Sequence, residues 1–345
     1  PPPPPPPPPP PRLFFFTLTR AYAMLRSLVG SEMCIRDSFV DAPHMRYGVV
    51  SADGELTTHI DVPLPGPRLP HDMAFTENWS ILNDLPLFWN PDALKDGYYS
   101  NTFNRDLPSR FALVPRHGST DDIRWFEADP TFVLHWTNAY EDGDWVILDG
   151  FFQHNPTARG ASRASEAHKG FETLDMNVLE ARAHRWRFNL ATGECKEEAM
   201  SDTCCEFPMI NGRHAGRRHR YSYNARCVPG LFAFDALIKH DLDKGTEETF
   251  ELEPGVFISE TVMAPRDNST DEDDGYLVTF SSDLNQDISE ALIFDASRPQ
   301  DGPICQIRLP ERISLSLIHI SEPTRLLSSA GAGVWVEKKR GGGGG

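Results

Sequence analysis

Two histidines stand out for their surroundings. His71 lies in Leu69-Pro70-His71-Asp72-Met73-Ala74-Phe75-Thr76-Glu77-Asn78-Trp79-Ser80-Ile81, and His135 in Phe132-Val133-Leu134-His135-Trp136-Thr137-Asn138-Ala139-Tyr140-Glu141-Asp142-Gly143-Asp144. They are 64 residues apart, each inside a strand-like apolar run. Neutral imidazole is a good ligand for a transition metal that must keep open coordination positions. It needs one tautomer and a fixed ring direction, which a carboxylate accepting the other ring N–H supplies. Glu206 and Glu260, further along, are acids that could do this. A lone histidine between apolar residues is more often a hydrogen-bonded structural residue than a ligand, so the pair gains weight only from its context.

The remaining polar residues read more plainly. His59, His117, His154, His168, His184, His214, His219 and His240 sit in polar or turn-like stretches and are expected at the surface. His214 and His219, five apart, would point to opposite faces of a strand. Glu141 and Asp142 read as turn residues. Cys195, Cys204, Cys205, Cys227 and Cys305 form no zinc spacing, and adjacent Cys204 and Cys205 would face opposite sides of a strand, so reduced, partly buried thiols are expected. The formal charge is −17 with no basic stripe. Nucleic-acid binding is therefore not expected, since phosphate neutralisation needs clustered Lys and Arg. The segment Arg213 to Arg220 is the densest basic cluster and reads as a solvated turn or salt-bridged strand end.

The positioning elements are short strands. Tyr47-Gly48-Val49-Val50-Ser51, Trp145-Val146-Ile147-Leu148-Asp149, Tyr276-Leu277-Val278-Thr279-Phe280 and Ala291-Leu292-Ile293-Phe294-Asp295 are rich in β-branched and aromatic residues. Turn signals such as Ala52-Asp53-Gly54-Glu55, Glu141-Asp142-Gly143-Asp144 and Ala191-Thr192-Gly193-Glu194 bound them. This is the grammar of an all-β meander, and Thr173 to Ala183 is the one place where a short helix or a strand lead-in is expected. No strict sequence repeat marks blades.

The ends read differently from the middle. Residues 1–11 are all proline, and the chain closes on five glycines from Gly341. Ser27 to Ser38 and Ser316 to Leu327 look like translated sequencing-adapter read-through. Residues 1–38 and 315–345 are accordingly expected to be non-native or disordered, and residues 39–314 to form the folded domain. No apolar run reaches the roughly 18 residues that a membrane span needs. Without a credible leader, the cytoplasm is the default compartment.

Taken in order from about Tyr47 to Leu309, these segments resemble the carotenoid cleavage oxygenases, a non-haem iron family that includes lignostilbene dioxygenases and retinoid isomerases. His71 matches the histidine of the family's His-Asp-Phe-Ala-Ile-Thr type motif, with Met73 and Phe75 as conservative departures. His135 matches the histidine three places before the Asn of the Asn-Ala-Tyr-Glu type motif. Glu206, in Cys205-Glu206-Phe207-Pro208-Met209-Ile210-Asn211, and Glu260, in Phe257-Ile258-Ser259-Glu260-Thr261, match two of the family's three supporting glutamates, although Thr261 replaces a usual proline.

The resemblance implies a seven-bladed β-propeller, here incomplete, with iron on its axis held by four histidines. His71 and His135 would be two of those ligands, with Glu206 and Glu260 behind the histidine ring. The first histidine and the third glutamate would precede the matching stretch, and His319, near the place of the fourth, falls in an adapter-like string. With two of four ligands, the polypeptide as written is expected to fold poorly and to be inactive. The implied reaction uses Fe(2+) and O2 to split a conjugated carbon–carbon double bond of a carotenoid, apocarotenoid or stilbene-like phenolic into two carbonyl products. Peripheral membrane contact, to fetch a lipophilic polyene, is compatible with the family, and oligomeric state is left open. The alternative is a non-catalytic β-propeller binding protein that has lost its metal.

Overall fold

A computed structural model describes residues 24–29, 32–38, 41–90, 92, 101–154, 156, 180–231 and 233–313. The expectation of a helix or strand lead-in falls mostly on residues outside that set, as do His168, His319, the proline and glycine tracts and the second adapter-like string. Among the described residues no helix is long and apolar enough to cross a membrane.

The described chain is almost all β, as its β-branched and aromatic runs lead one to expect. Among the described residues three antiparallel four-stranded sheets and one seven-stranded sheet follow one another, and the seven-stranded sheet reads as two four-stranded meanders that share one long strand, giving five meanders. The first holds β1 (Met24–Val29), β2 (Glu32–Ser38), β3 (Met45–Val50) and β4 (Leu56–Asp61). The second holds β5 (Ala74–Phe75), β6 (Trp79–Asp84), β9 (Ser109–Pro115) and β10 (Arg124–Ala128), with the hairpin of β7 (Leu87–Trp89) and β8 (Asn101–Phe103) inserted between β6 and β9. The third is β11 (Trp136–Asp142), β12 (Trp145–Phe152), β13 (Arg182–Asn189) and the first part of β14 (Cys195–Met209). The rest of β14 opens the fourth, with β15 (Tyr221–Cys227), β16 (Phe234–Asp241) and β17 (Thr246–Glu251). The fifth is β18 (Val256–Pro265), β19 (Gly275–Asp283), β20 (Ile288–Asp295) and β21 (Pro303–Arg308).

Local chemistry accounts for the meander. Gly143 between β11 and β12, and Gly193 between β13 and β14, take φ values of +59° and +78°. A residue with a Cβ adopts that left-handed backbone only at a cost, so glycine sets both turns. The first strands of successive meanders touch: β1 meets β5, β5 meets β11, β11 meets β14 and β14 meets β18. The sheets therefore converge on one centre through their opening strands, which is the arrangement of propeller blades.

Separate apolar layers fill the gaps between neighbouring sheets. Met45, Tyr47, Leu82 and Val114 pack the first against the second. Phe111, Trp136, Trp186 and Phe188 join the second to the third. Tyr223, Phe234, Ile258, Leu277 and Phe294 join the fourth to the fifth. Each fully buried large side chain of this kind contributes about 1.5–3 kcal/mol by leaving water, so the contacts between sheets are main carriers of stability.

Two findings concern the flanking and basic segments. β1 and β2 come from a stretch expected to be foreign to the fold, yet β2 pairs in register with β3 from Met33↔Val50 to Ser38↔Met45, and Arg36 is buried. The basic segment is a 3-10 turn (Gly212–His214) followed by a loop, so His214 and His219 are not on opposite faces of a strand.

Candidate metal centre

Each proposed site residue stands at or near the opening strand of a different meander. His71 precedes β5, His135 precedes β11, Glu206 lies where β14 enters the fourth sheet, and Glu260 lies on β18. Because those strands converge, residues 64 apart in sequence come together. The His71 and His135 ring centroids are 5.0 Å apart with planes at 85°.

His135 is held by a carboxylate. Its Nδ1 lies 2.7 Å from Oε2 of Glu206, and the pair is buried. The same oxygen accepts the Phe207 backbone N–H at 2.7 Å. With Nδ1–H donated to Glu206, Nε2 is the ring nitrogen that carries the lone pair. The backbone pays attention to this contact: Phe207 takes φ +57°, a left-handed value unusual for an aromatic residue, and the β14–β15 register shifts between Glu206 and Met209. Such backbone is kept where surrounding contacts over-determine it. The Phe207 ring packs on His135 with centroids 5.3 Å apart. Oε1 of Glu206 is buried without a hydrogen-bond partner among the described residues.

His71 is held differently. Its ring makes no hydrogen bond among the described residues, and its carbonyl accepts Nη2 of Arg36 at 3.4 Å. Burial pushes its pKa down to about 3, and the neighbouring His135 and Arg36 act in the same direction. His71 is thus neutral at pH 7, the form a metal binds.

Glu260 is not brought into this arrangement. It is half-buried, its carbonyl accepts the Thr279 hydroxyl at 3.1 Å, and its carboxylate makes no hydrogen bond or ion pair among the described residues. The β18–β19 register shifts between Ile258 and Thr261, and Oγ1 of Thr261 is buried without a partner among the described residues. No group of three or more His, Cys, Asp or Glu side chains gathers as a metal cage among the described residues. The donor set on hand is two imidazoles, one of them oriented by a carboxylate. That chemistry fits a borderline divalent metal such as iron(II), as a partial set of ligands.

Several expectations need correction. Glu141 is more than a turn residue: it accepts the Thr76 hydroxyl at 2.5 Å, the Asn78 N–H at 2.9 Å and the Asn78 amide at 3.0 Å. Burial pushes its carboxyl up, but these hydrogen bonds outweigh it and hold the carboxyl below its usual range. His219 and His240 are buried, and His184 is half-buried. His219 meets the Asn138 amide at 3.1 Å, His240 the Asn224 amide at 2.7 Å and Glu247 at 3.0 Å, and His184 meets Glu197 at 3.3 Å. Their polar sequence neighbours concealed this, because the partners come from other strands. Cys195, Cys204, Cys205, Cys227 and Cys305 are free thiols, as expected.

A β-propeller-like chain whose opening strands bring two histidines and a glutamate to a common centre defines a recognisable class. Residues 29–319 match the family model for RPE65, retinal pigment epithelial membrane protein. The chain belongs to that family, which includes the carotenoid cleavage oxygenases. It is 34% identical over 288 residues to a carotenoid 9,10(9',10')-cleavage dioxygenase 1 of Pisum sativum, covering 79% of this chain and 52% of the relative. It is 30% identical over 277 residues to an apocarotenoid-15,15'-oxygenase of Synechocystis, covering 76% and 54%. Among solved structures, a Pseudomonas brassicacearum lignostilbene dioxygenase aligns with TM-score 0.71 at 25% identity, covering 83% of this chain and 62% of that one. The chain spans about half the length of the curated relatives it matches.

Proposed function

We propose that this chain carries part of the centre of a non-haem iron(II) dioxygenase. Its substrate would be a carotenoid, an apocarotenoid or a stilbene-like phenolic, cleaved at a conjugated carbon–carbon double bond to two carbonyl products. The observation that carries the reading is the pair of edge-on imidazoles just before neighbouring opening strands, with Glu206 on Nδ1 of His135. The relatives' names supply the reaction class: carotenoid and apocarotenoid cleavage, and lignostilbene oxidation.

His71 and His135 would hold the metal through neutral nitrogens. Glu206 keeps His135 in the tautomer whose Nε2 can donate to it, and its negative charge raises the basicity of that nitrogen. Phe207, packed on the His135 ring, restricts how that ring can turn. When bound, iron(II) would supply the dioxygen chemistry that turns the double bond into two carbonyl groups.

A chimera tests this. Residues 39–314 replace the matching stretch of the Synechocystis apocarotenoid-15,15'-oxygenase, and the product is assayed with Fe(II) and O2 on an apocarotenal and on a stilbene. Paired carbonyl products that vanish in His71→Ala and His135→Ala are expected. An iron-loaded chimera that cleaves neither substrate, or cleavage that survives loss of either histidine, refutes the reading. A folded chimera that takes up no iron would favour a metal-free binding propeller.

A further inference from the structure

We propose that Asp72 is a positioning residue, whose carboxylate ties the His71 segment to the His135 segment and sets the separation of the two imidazoles; this rests on the metal-centre reading above. Asp72 directly follows His71, and Trp136 directly follows His135. One carboxylate oxygen of Asp72 accepts the Met73 N–H at 2.8 Å, and the other accepts the Trp136 N–H at 3.0 Å. A single side chain therefore grips a backbone amide on each side of the gap between two sheets, two residues after His71 and one residue after His135.

The need for such a tie follows from the sheet. β11 is an edge strand of its sheet, paired only with β12. Its amides on the open side have no ladder partner, and a buried N–H left unpaired is costly. Asp72 satisfies the first of them, at a residue that is buried. The Asp72 backbone is itself fixed, since its carbonyl accepts the Asn83 amide at 2.8 Å. Glu141 makes a second tie at the other end of β11, to Thr76 and Asn78. The two carboxylates clasp the β5 segment to β11 at both ends, and the one nearer the rings governs their spacing. Among the described residues no carboxylate meets the His71 ring, so its placement depends on its backbone, which Asp72 anchors.

Asp72→Asn tests the tie without changing volume. The amide keeps one acceptor oxygen and turns an NH2 group toward the other N–H, so one of the two grips is lost. Co(II) alone, titrated into the chain and followed by its visible absorption, reports metal geometry and affinity. Hydrogen exchange of the Trp136 amide and the thermal midpoint report the fold. The control is Glu272→Gln, another carboxylate that accepts backbone amides, from Arg220 and Tyr221, but in a different part of the molecule. Asp72→Asn should weaken Co(II) binding by roughly 10–100-fold, the loss typical of a ligand-orienting partner, and speed exchange at Trp136. Glu272→Gln should lower the thermal midpoint and leave Co(II) affinity in place. Unchanged Co(II) affinity in Asp72→Asn, or an equal loss in Glu272→Gln, overturns the proposal. If the parent's Co(II) uptake ignores His71→Ala and His135→Ala, the metal reading is what fails. The tie is then judged on exchange alone, and an unaltered Trp136 amide in Asp72→Asn overturns it.

Discussion

The two histidines are held in opposite ways. His135 is fixed from the side chain: a buried glutamate grips its ring nitrogen, and Phe207 covers its face. His71 is fixed from the main chain: its ring has no hydrogen bond among the described residues, while the residues around it are bound through Asp72, Asn83 and Arg36. The first arrangement can fail at one side chain. The second spreads the constraint over several backbone contacts, so no single ring partner decides it.

The largest expected effect comes from removing the side-chain grip. Glu206→Ala strips the acceptor from His135 and from the Phe207 N–H inside the protein. Stability should fall by about 2–4 kcal/mol, and divalent-metal affinity by roughly 10–100-fold, read from urea unfolding and metal titration. His71→Ala should cost the metal as much while changing urea stability far less, because its ring gives up no hydrogen bond. Equal losses of stability would erase the contrast.

Gly150→Ala attacks the His135 side indirectly. A Cβ there would lie 2.5 Å from Cε3 of Trp136, the residue after His135. Overpacking of this kind costs about 1–3 kcal/mol, and the displaced indole should show as a change in tryptophan fluorescence.

The His71 side has a signature in acid. Its pKa is about 3 in the folded chain against an ordinary value of 6.5, so the unfolded state binds the proton more readily. In the metal-free chain its contribution is therefore complete above pH 6.5 and is lost as pH falls toward 3. His71→Gln should flatten the pH dependence of unfolding across that window; an unchanged slope would mean the ring is accessible to protons in the fold. The smallest effect is expected for Glu141→Gln, which weakens hydrogen bonds at an exposed strand end by about 0.5–1.5 kcal/mol, measurable as a small shift in the urea midpoint.

The all-β class, the short strands and their Asp/Gly turns were readable from composition and alternation, since these are local properties. His71, His135 and Glu206 were readable through motifs, and the structure brings these three together. Glu260 occupies the corresponding opening strand but its carboxylate meets no histidine among the described residues. Asp72 and Glu141 were invisible as ties, because Asp72 meets an amide 64 positions away and Glu141 meets residues 63 and 65 positions away. The burial of His219 and His240 escaped for the same reason: hydrophilic neighbours in sequence say nothing about which sheet lies overhead.

β14 runs without interruption from the outer edge of the third meander to the opening edge of the fourth, pairing first with β13 and then with β15. No loop separates those two sheets at that point, so they lack a hinge. Pulling the third apart would peel the backbone partner from the fourth and drag Glu206 off its ring. The two should therefore melt as one cooperative unit, and amides of β13 and β15 should exchange with a common free energy.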